Sequence, residues 1–325
     1  MLTEQTIRKT LKFVLKKVDL PSLKSKEQGK VRDIYRVGQR RILITTDRIS
    51  AFDRVLGYIP FKGQVLNELS AFWFDKTRDI VTNHALAFPD SNVTVAIEAQ
   101  AYPVEMVVRG YLSGVTSTSI WKAYENGERI IYGIKFPDGM KKNQKLPHPI
   151  ITPTTKAEHG QHDRKLTEKE ILAKKIIKAK DWKQMKQAAL ALFERGSKIC
   201  SRAGIILVDT KYEFADYKGK LMLIDEIHTP DSSRFWKKET YLKRLKEGQE
   251  PENFDKEFLR LWYAHKGYIG DGEPPKMTED LIVKTARRYI AIFEMITGKK
   301  FIARKYPVFE EINKNMEKYF RLPYK

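Results

Sequence analysis

Cysteine is nearly absent. Cys200 is the only one in 325 residues, which excludes an intramolecular disulfide framework and suits a reducing cytoplasm. It lies in a helical pattern beside Ile199 and Ala203 and reads as a buried, inert thiol. Long apolar runs are missing too. None approaches the roughly 20 residues that a membrane-spanning helix needs, and the longest, such as Ile205-Ile206-Leu207-Val208, are strand-sized. His159 and His162 have a metal-like spacing, but no cysteine or third histidine is placed to complete a zinc site. No secretory hydrophobic region, internal repeat or clean linker is visible. These absences exclude a secreted disulfide scaffold, a membrane-spanning protein and a zinc module. A cytoplasmic protein without a membrane partner is expected.

What is present is a large core and an excess of positive charge. With 42% hydrophobic and 11% aromatic residues, the chain can build one large domain or two smaller ones. The N-terminus alternates Arg8, Lys9, Lys12, Lys16 and Lys17 with Ile7, Leu11, Phe13, Val14 and Leu15. Glu4, Asp19 and the early Pro21 favour a packed or surface helix over a targeting signal. The formal net charge is +20. A nucleic-acid binder would gather its lysines in a stripe with stacking aromatics. Here Lys165, Lys169, Lys174, Lys175, Lys178 and Lys180 are scattered among apolar residues, as on a solvated helix face. Such charge can also steer anionic small molecules to a cleft.

The order of elements suggests α+β with mainly antiparallel sheet. Gly29–Tyr35 and Arg41–Thr46 read as a hairpin about the turn Val37-Gly38-Gln39-Arg40. Leu66–Phe74 has a helical pattern, and Val93–Ala99 and Glu105–Arg109 are strand candidates. Residues 133–165, rich in Pro, Gly, Lys and His, read as a long functional loop. A capping box at Thr167 and Glu170 starts one helix. A second runs from about Asp181 and stops at Gly204. Two strands, 205–214 and 221–227, precede a helical C-terminal region. No exposed apolar face stands out, and a monomer is favoured over a homodimer.

The most informative segment is Val208–Phe214. A strand's period of two puts Asp209, Lys211 and Glu213 on one face and Val208, Thr210, Tyr212 and Phe214 on the other. A half-exposed strand would look the same. The next strand, however, runs apolar into Asp225-Glu226. A three-residue loop at Lys218-Gly219-Lys220 sets Glu213 opposite Asp225, whereas a two-residue turn pairs Glu213 with Ile224 and turns Asp225 to the other face. The longer loop is expected. Paired carboxylates on rigid strands suit Mg²⁺, which takes one or two carboxylates plus phosphate oxygens, and Lys211 between them would meet phosphate as a point charge. Thr229–Trp236, with hydroxyls, Asp231 and Arg234, is either an anion-binding loop or a surface turn.

Taken together these segments resemble the phosphoribosylaminoimidazole-succinocarboxamide synthase (SAICAR synthetase) family. The runs that carry the resemblance are GKVRDIY (29–35), TTDRISAFD (45–53), PVEMVVRGYL (103–112), TPTTKAEHGQHD (152–163), LVDTKYEF (207–214), IDEIHTPDSSRFW (224–236) and DKEFLR (255–260). They span essentially the whole chain in family order. The resemblance implies two lobes with mainly antiparallel sheets and flanking helices, distantly like protein kinases and ATP-grasp-like enzymes, with ATP in the cleft between them. The implied lobes are 1–108, an ATP-phosphate cover, and 109–325, which carries the metal and substrate site. The implied reaction joins carboxyaminoimidazole ribotide (CAIR) and L-aspartate at the expense of ATP, giving SAICAR, ADP and phosphate through an acyl phosphate in purine biosynthesis.

Carried over by motif, Glu213 and Asp225 would hold Mg²⁺, and Lys30, Arg32, Lys211 and Glu105 would contact ATP. Lys30 and Arg32 are expected on one face of the first strand. Lys211, Asp209 and Asp53 would serve the chemistry. Arg109, Ser50, Lys156, His162, Asp163, Asp231, Ser233 and Arg234 would bind substrate, the arginines gripping phosphate and carboxylate with their planar forks. Two positions depart from the family. Val115 stands where many relatives have a phosphate-contacting serine, with Thr116, Ser117 or Ser119 as replacements, and Ala215 stands for a common glycine. Three other functions compete: a nucleic-acid binder, to which the clustered carboxylates are of no use; a kinase or another ligase of this architecture; and an inactive paralogue, against which every motif carboxylate and arginine is present.

Overall fold

A computed structural model describes residues 2–21, 23–24, 26–116, 118–156 and 163–321. Helix α1 (Glu4–Thr10), capped by the Thr3 hydroxyl, opens the chain and buries Ile7. Strands β1 (Lys26–Gln28), β2 (Arg32–Val37) and β3 (Arg40–Thr45) follow, then a small hairpin of β4 (Arg48–Ala51) and β5 (Arg54–Tyr58). After α2 (Lys62–Thr77) come β6 (Ala85–Asp90) and β7 (Val93–Ile97). They complete an antiparallel sheet of order β1-β2-β3-β7-β6. The long strand β8 (Gln100–Tyr111) starts the second sheet. It is followed by α3 (Ile120–Glu125), a minimal ribbon of β9 (Ile130–Ile131) and β10 (Ile134–Lys135), then β11 (Lys145–Ile151) and β12 (Thr154–Thr155). Helices α4 (Glu168–Ala173) and α5 (Ala179–Arg202) lead into β13 (Ile205–Tyr217), β14 (Lys220–Ile224) and β15 (Ser233–Lys237). The chain ends with α6 (Lys238–Lys246), α7 (Glu257–His265), α8 (Glu279–Thr297) and α9 (Phe309–Arg321).

In the second sheet β13 is central. It pairs with β8 on one edge and with β14 and β15 on the other, while β11 and β12 extend β8. Alternation along β8 and β13 turns Val104, Met106, Val108, Tyr212 and Phe214 into the main core. There they share a buried cluster with Trp182, Met185, Ala189, Leu192, Phe193 and Cys200 of α5. Burying each such large apolar side chain is worth roughly 1.5–3 kcal/mol. Gly110 is needed for this contact, because a Cβ there would lie 3.3 Å from the Phe193 ring. The first sheet has its own core, with Tyr35, Ile42, Ile44, Val93 and Val95 against Leu15, Val18, Leu20 and, from α9, Ile312 and Met316. All of β8 hydrogen-bonds within the second sheet, so the 108/109 boundary read from the sequence falls inside a strand.

Several local expectations meet a different geometry. Gly29 N donates to Arg32 O at 2.8 Å, forming a turn, so the strand starts at Arg32 and Lys30 is not on its face. The stretch 133–165 is partly ordered as sheet edge, because β11 and β12 satisfy the outer edge of β8. The segment 229–236 is a loop only as far as Ser232; from Ser233 it is a strand paired with β13. The capping box at Thr167 and Glu170 is present. The long helix ends at Gly204, whose φ of +74° suits glycine.

Candidate active site

The polar face of the second sheet, opposite α5, carries the charges. On β13 the alternation sets Asp209, Lys211 and Glu213 there. On β8 their direct cross-strand partners are Arg109, Val107 and Glu105. Two rows result.

The first row is an arginine clamp. Asp209 faces Arg109 across one strand pair and Arg234 of β15 across the other. Arg234 Nη1 reaches Asp209 Oδ2 at 2.5 Å, and Arg109 Nη1 reaches the same oxygen at 3.5 Å. Arg109 also donates to Thr152 Oγ1 at 2.7 Å and to the Thr118 carbonyl at 3.2 Å. Arg234 has a second carboxylate, Glu257, at 3.3 Å. Burial acts against the Arg234 charge, but Asp209, Glu257 and Asp255 outweigh it and lift its pKa above the ordinary arginine value. Gly114, with φ +101°, passes so close that a Cβ would lie 3.0 Å from Arg234 Nη2.

The second row is a chain of alternating charges. Lys211 Nζ donates to Glu105 Oε1 at 2.8 Å and to Glu213. Lys156 donates to the other oxygen of Glu213 at 2.6 Å. Burial opposes the Lys211 ammonium, yet Glu105, Glu213 and Asp225 raise its pKa well above the usual lysine value. Burial alone would raise Glu213, but Lys211 and Lys156 hold it far below the ordinary carboxylate range. Glu105 is pushed up, chiefly by burial, with Lys211 opposing and Glu213 and Asp163 adding repulsion.

Arg32 bridges the two sheets. It reaches from β2 to both Asp225 and Glu226, and Glu226 also accepts from Thr229 Oγ1 at 2.9 Å. The expected hairpin register is not found. Glu213 pairs with Ile224, and Tyr217 with Lys220, so the turn is the two-residue Lys218-Gly219. Both have positive φ, 54° and 77°. That conformation matches the twist of the flanking strands, which a three-residue loop would not need to do. Asp225 therefore does not face Glu213 in the ladder. It leaves the strand with φ 68° and comes within reach of the Lys211 charge.

The other candidates are distributed around these rows. Lys30 pairs with Asp53 at 2.5 Å. Asp53 sits with Phe52 at the tip of the β4–β5 hairpin, both at positive φ, and Ser50 is buried beside a bulge in β4. Ser233 is not brought to either row, since its hydroxyl bonds Thr210 Oγ1 at 2.7 Å on the other side of β13. Asp231 is held by Lys62 Nζ at 2.8 Å and Tyr289 Oη at 2.7 Å. Lys62 and Tyr289 were not legible from motif spacing, while Glu226, read beside Asp225, and Glu257, within DKEFLR, lay in motifs without a role of their own. Ser119 caps α3 and donates to the Gly114 carbonyl at 3.0 Å. His162, His159 and Ser117 lie outside the described residues.

The family model described as SAICAR synthetase matches residues 25–275. The chain belongs to the SAICAR synthetase family. A phosphoribosylaminoimidazole-succinocarboxamide synthase of Legionella pneumophila (strain Paris) is 49% identical over 311 residues, covering 94% of this chain and 99% of the relative. One from Bacteroides fragilis (strain YCH46) is 47% identical, covering 92% and 95%. Among solved structures, the SAICAR synthase from Saccharomyces cerevisiae complexed with SAICAR superposes with a TM-score of 0.76 at 30% identity, covering 88% of this chain and 99% of that one. Within a SAICAR synthetase, the α+β architecture read from the sequence is the family fold.

Proposed function

We propose that this chain catalyses the ATP-dependent ligation of L-aspartate to CAIR, giving SAICAR, ADP and phosphate. The observation that carries the reading is the pair of charge rows on one sheet face of a SAICAR synthetase family member. A carboxylate is a poor electrophile because its leaving group would be oxide. Transfer of the γ-phosphoryl group of ATP onto the CAIR carboxylate oxygen releases ADP and leaves an acyl phosphate. The aspartate amine then attacks the acyl carbon, the C–O bond to phosphate breaks, and the amine loses a proton as the amide forms. Both steps bring anions together, and fixed cations lower that cost.

Lys30, Arg32, Lys211 and Glu105 serve ATP, in a cleft between a first lobe built on the β1–β7 sheet and a second built on β8–β15. Arg109 and Arg234 grip the ribotide phosphate and carboxylate, and Asp209 fixes both guanidinium groups. Asp53 and Ser50, with Lys156, Asp163 and Asp231, would face the two acidic substrates; the part of His162 rests on its motif alone, and Ser233, bonded to Thr210, would support its strand. Mg²⁺ would be held by Glu213 and Asp225. Both carboxylates act on Lys211, and such a pair suits an ion that takes one or two carboxylates and completes its shell with phosphate oxygens and water. When bound, it would neutralise phosphate charge. No described helix is long and apolar enough to cross a membrane. The proposal includes a cytoplasmic monomer that acts on small molecules rather than on nucleic acid.

The test is ADP release from the purified chain with Mg²⁺-ATP and CAIR, with L-aspartate present or omitted. ADP formation that requires all three, with the succinocarboxamide detected by mass spectrometry, is expected. ADP release independent of the amine would mark a kinase. Absent turnover with tight, salt-sensitive nucleic-acid binding would overturn the ligase.

A further inference from the structure

Lys62 is a lysine with no exposed surface at all. A buried ammonium is costly unless paired and hydrogen-bonded; Lys62 Nζ has an ion-pair partner, the Asp231 carboxylate at 2.8 Å, but no well-aligned hydrogen bond among the described residues. The backbone around it is built to aim it. Phe61, at the start of α2, has φ 66°, an outlying conformation for a bulky side chain that persists only where the surroundings impose it. Phe61 N donates to Tyr306 Oη at 2.9 Å, and Gly63 N donates to Asp47 Oδ1 at 3.1 Å. Gly63 admits no side chain, since a Cβ would lie 2.4 Å from both Asn92 Nδ2 and Thr45 O. The residues on either side of Lys62 at the start of α2 are thus pinned, in a geometry whose result is a lysine pointing at one carboxylate.

Asp231 in turn is tied to the chemistry. Its second oxygen accepts from Tyr289 Oη at 2.7 Å. Its loop is closed on Thr229, whose carbonyl accepts from Ser233 N at 2.9 Å. The Ser232 carbonyl accepts from Lys211 N at 3.0 Å, and Arg234 follows two residues later. Burial would raise the Asp231 pKa, but Lys62 and Lys256 bring it down to about 2. Lys256, whose pKa burial lowers to about 8, is the second cation nearby, while Glu226 and Arg260 act on Lys256 itself.

We propose that Lys62 is a positioning residue for the ligation: it fixes the Asp231 carboxylate, and through its loop Lys211 and Arg234, in the geometry that receives substrate. The inference rests on the ligase reading above. The alternative is a latch that stabilises the fold and nothing more.

The experiment compares wild type, Lys62→Met, the charge-neutral pair Lys62→Met/Asp231→Asn, and Tyr289→Phe, by thermal unfolding and steady-state ligation. Lys62→Met is expected to lower kcat/KM by about 10²-fold, the scale of a misplacement near 1 Å. The loss should fall on kcat and on KM for ATP and CAIR, the substrates assigned to Lys211 and Arg234, a split that a merely structural latch would not produce. The neutral pair should regain thermal stability without regaining turnover. Tyr289→Phe, which keeps the ion pair and the ring volume, should retain the fold and lose roughly tenfold in kcat/KM; it carries the test should Lys62→Met fail to fold. Recovery of both stability and turnover in the neutral pair, or Tyr289→Phe indistinguishable from wild type, would reduce Lys62 to a latch and overturn the proposal. Wild type without aspartate-dependent product removes the ligase reading itself, an outcome separate from either.

Discussion

The two charge rows share one sheet face and differ in how tightly they are held. In the arginine row Arg109, Asp209 and Arg234 have side-chain exposures of 6%, 6% and 10%, and every charge meets an opposite one or a fixed carbonyl or hydroxyl. In the lysine row Lys211 is 29% and Lys156 44% exposed. Arginine's planar fork is preorganised and always charged, while lysine is a mobile point charge on a flexible stem. The arginine row is therefore held rigidly, and under the proposed function it would meet an anion with its guanidinium groups already fixed. In the lysine row Lys211 and Lys156 neutralise Glu213, and under the proposed function this is the pairing that phosphates and Mg²⁺ would have to replace. In that proposal the preorganised row would serve the part of the substrate that does not react and the exchangeable row the part that does.

The strongest way to break this comparison is Glu213→Gln. It removes the charge that two lysines share but conserves volume and the β13 backbone pairing. We expect kcat to fall by about 10³-fold or more, the scale of losing a preorganised electrostatic contact. The unfolding midpoint should move little, because Glu105 still neutralises Lys211. Normal Mg²⁺-dependent turnover in that variant would remove Glu213 from the site. Next is Arg234→Lys, which keeps a charge but loses the fork that serves both Asp209 and Glu257. Here kcat/KM should fall by about 10²-fold, or about 2.7 kcal/mol, mostly as a higher KM for CAIR. A change confined to kcat would mean that the clamp is not a binding element. Lys156→Ala tests the exchangeable end of the other row. Its lysine end is 44% exposed and Lys211 still pairs with the buried Glu213, so stability should change by no more than about 1 kcal/mol, and turnover should fall by about tenfold or less. A loss equal to that of Glu213→Gln would show that the row is as rigid as the clamp.

The same contrast separates what the sequence made legible from what it did not. The period of two along Val208–Phe214 put Asp209, Lys211 and Glu213 on one face, and they lie there, because alternation is a property of the backbone alone. Helix limits at Thr167 and Gly204 were legible for the same reason, each being a local cap. Pairing of Glu213 with Asp225 was not. It depended on a turn, and Lys218-Gly219 adopts the left-handed pair of residues without the Asn-Gly or Asp-Gly signal that announces it. Asp225 comes near Lys211 only through its own positive φ, which no pattern reveals. Lys62 was the least legible residue. A lysine in a helical segment reads as solvated, and its burial depends on Asp231, far along the chain and on a different element.

The smallest expected effect on turnover comes from beneath the arginine clamp. Asp255 accepts from Phe235 N at 2.6 Å and from Glu257 N at 2.7 Å, joining β15 to the start of α7. Burial raises its pKa to about 7, against the pull of those two donors, and Glu257 adds repulsion that Arg234 opposes. An unfolded aspartate titrates near 3.9. The folded state thus prefers the protonated form, so this group's stabilisation is complete below about pH 4 and is lost as pH rises towards 7. Asp231, in the ion pair beside it, has the opposite sign: its pKa of about 2 gives stabilisation that is present above about pH 4 and lost below it. Asp255→Asn should therefore flatten the fall in unfolding midpoint between pH 4 and 7 relative to wild type, with kcat at pH 8 within about threefold. An unchanged slope would mean that the β15–α7 junction titrates elsewhere, and that the rigidity of the clamp comes from its ion pairs alone.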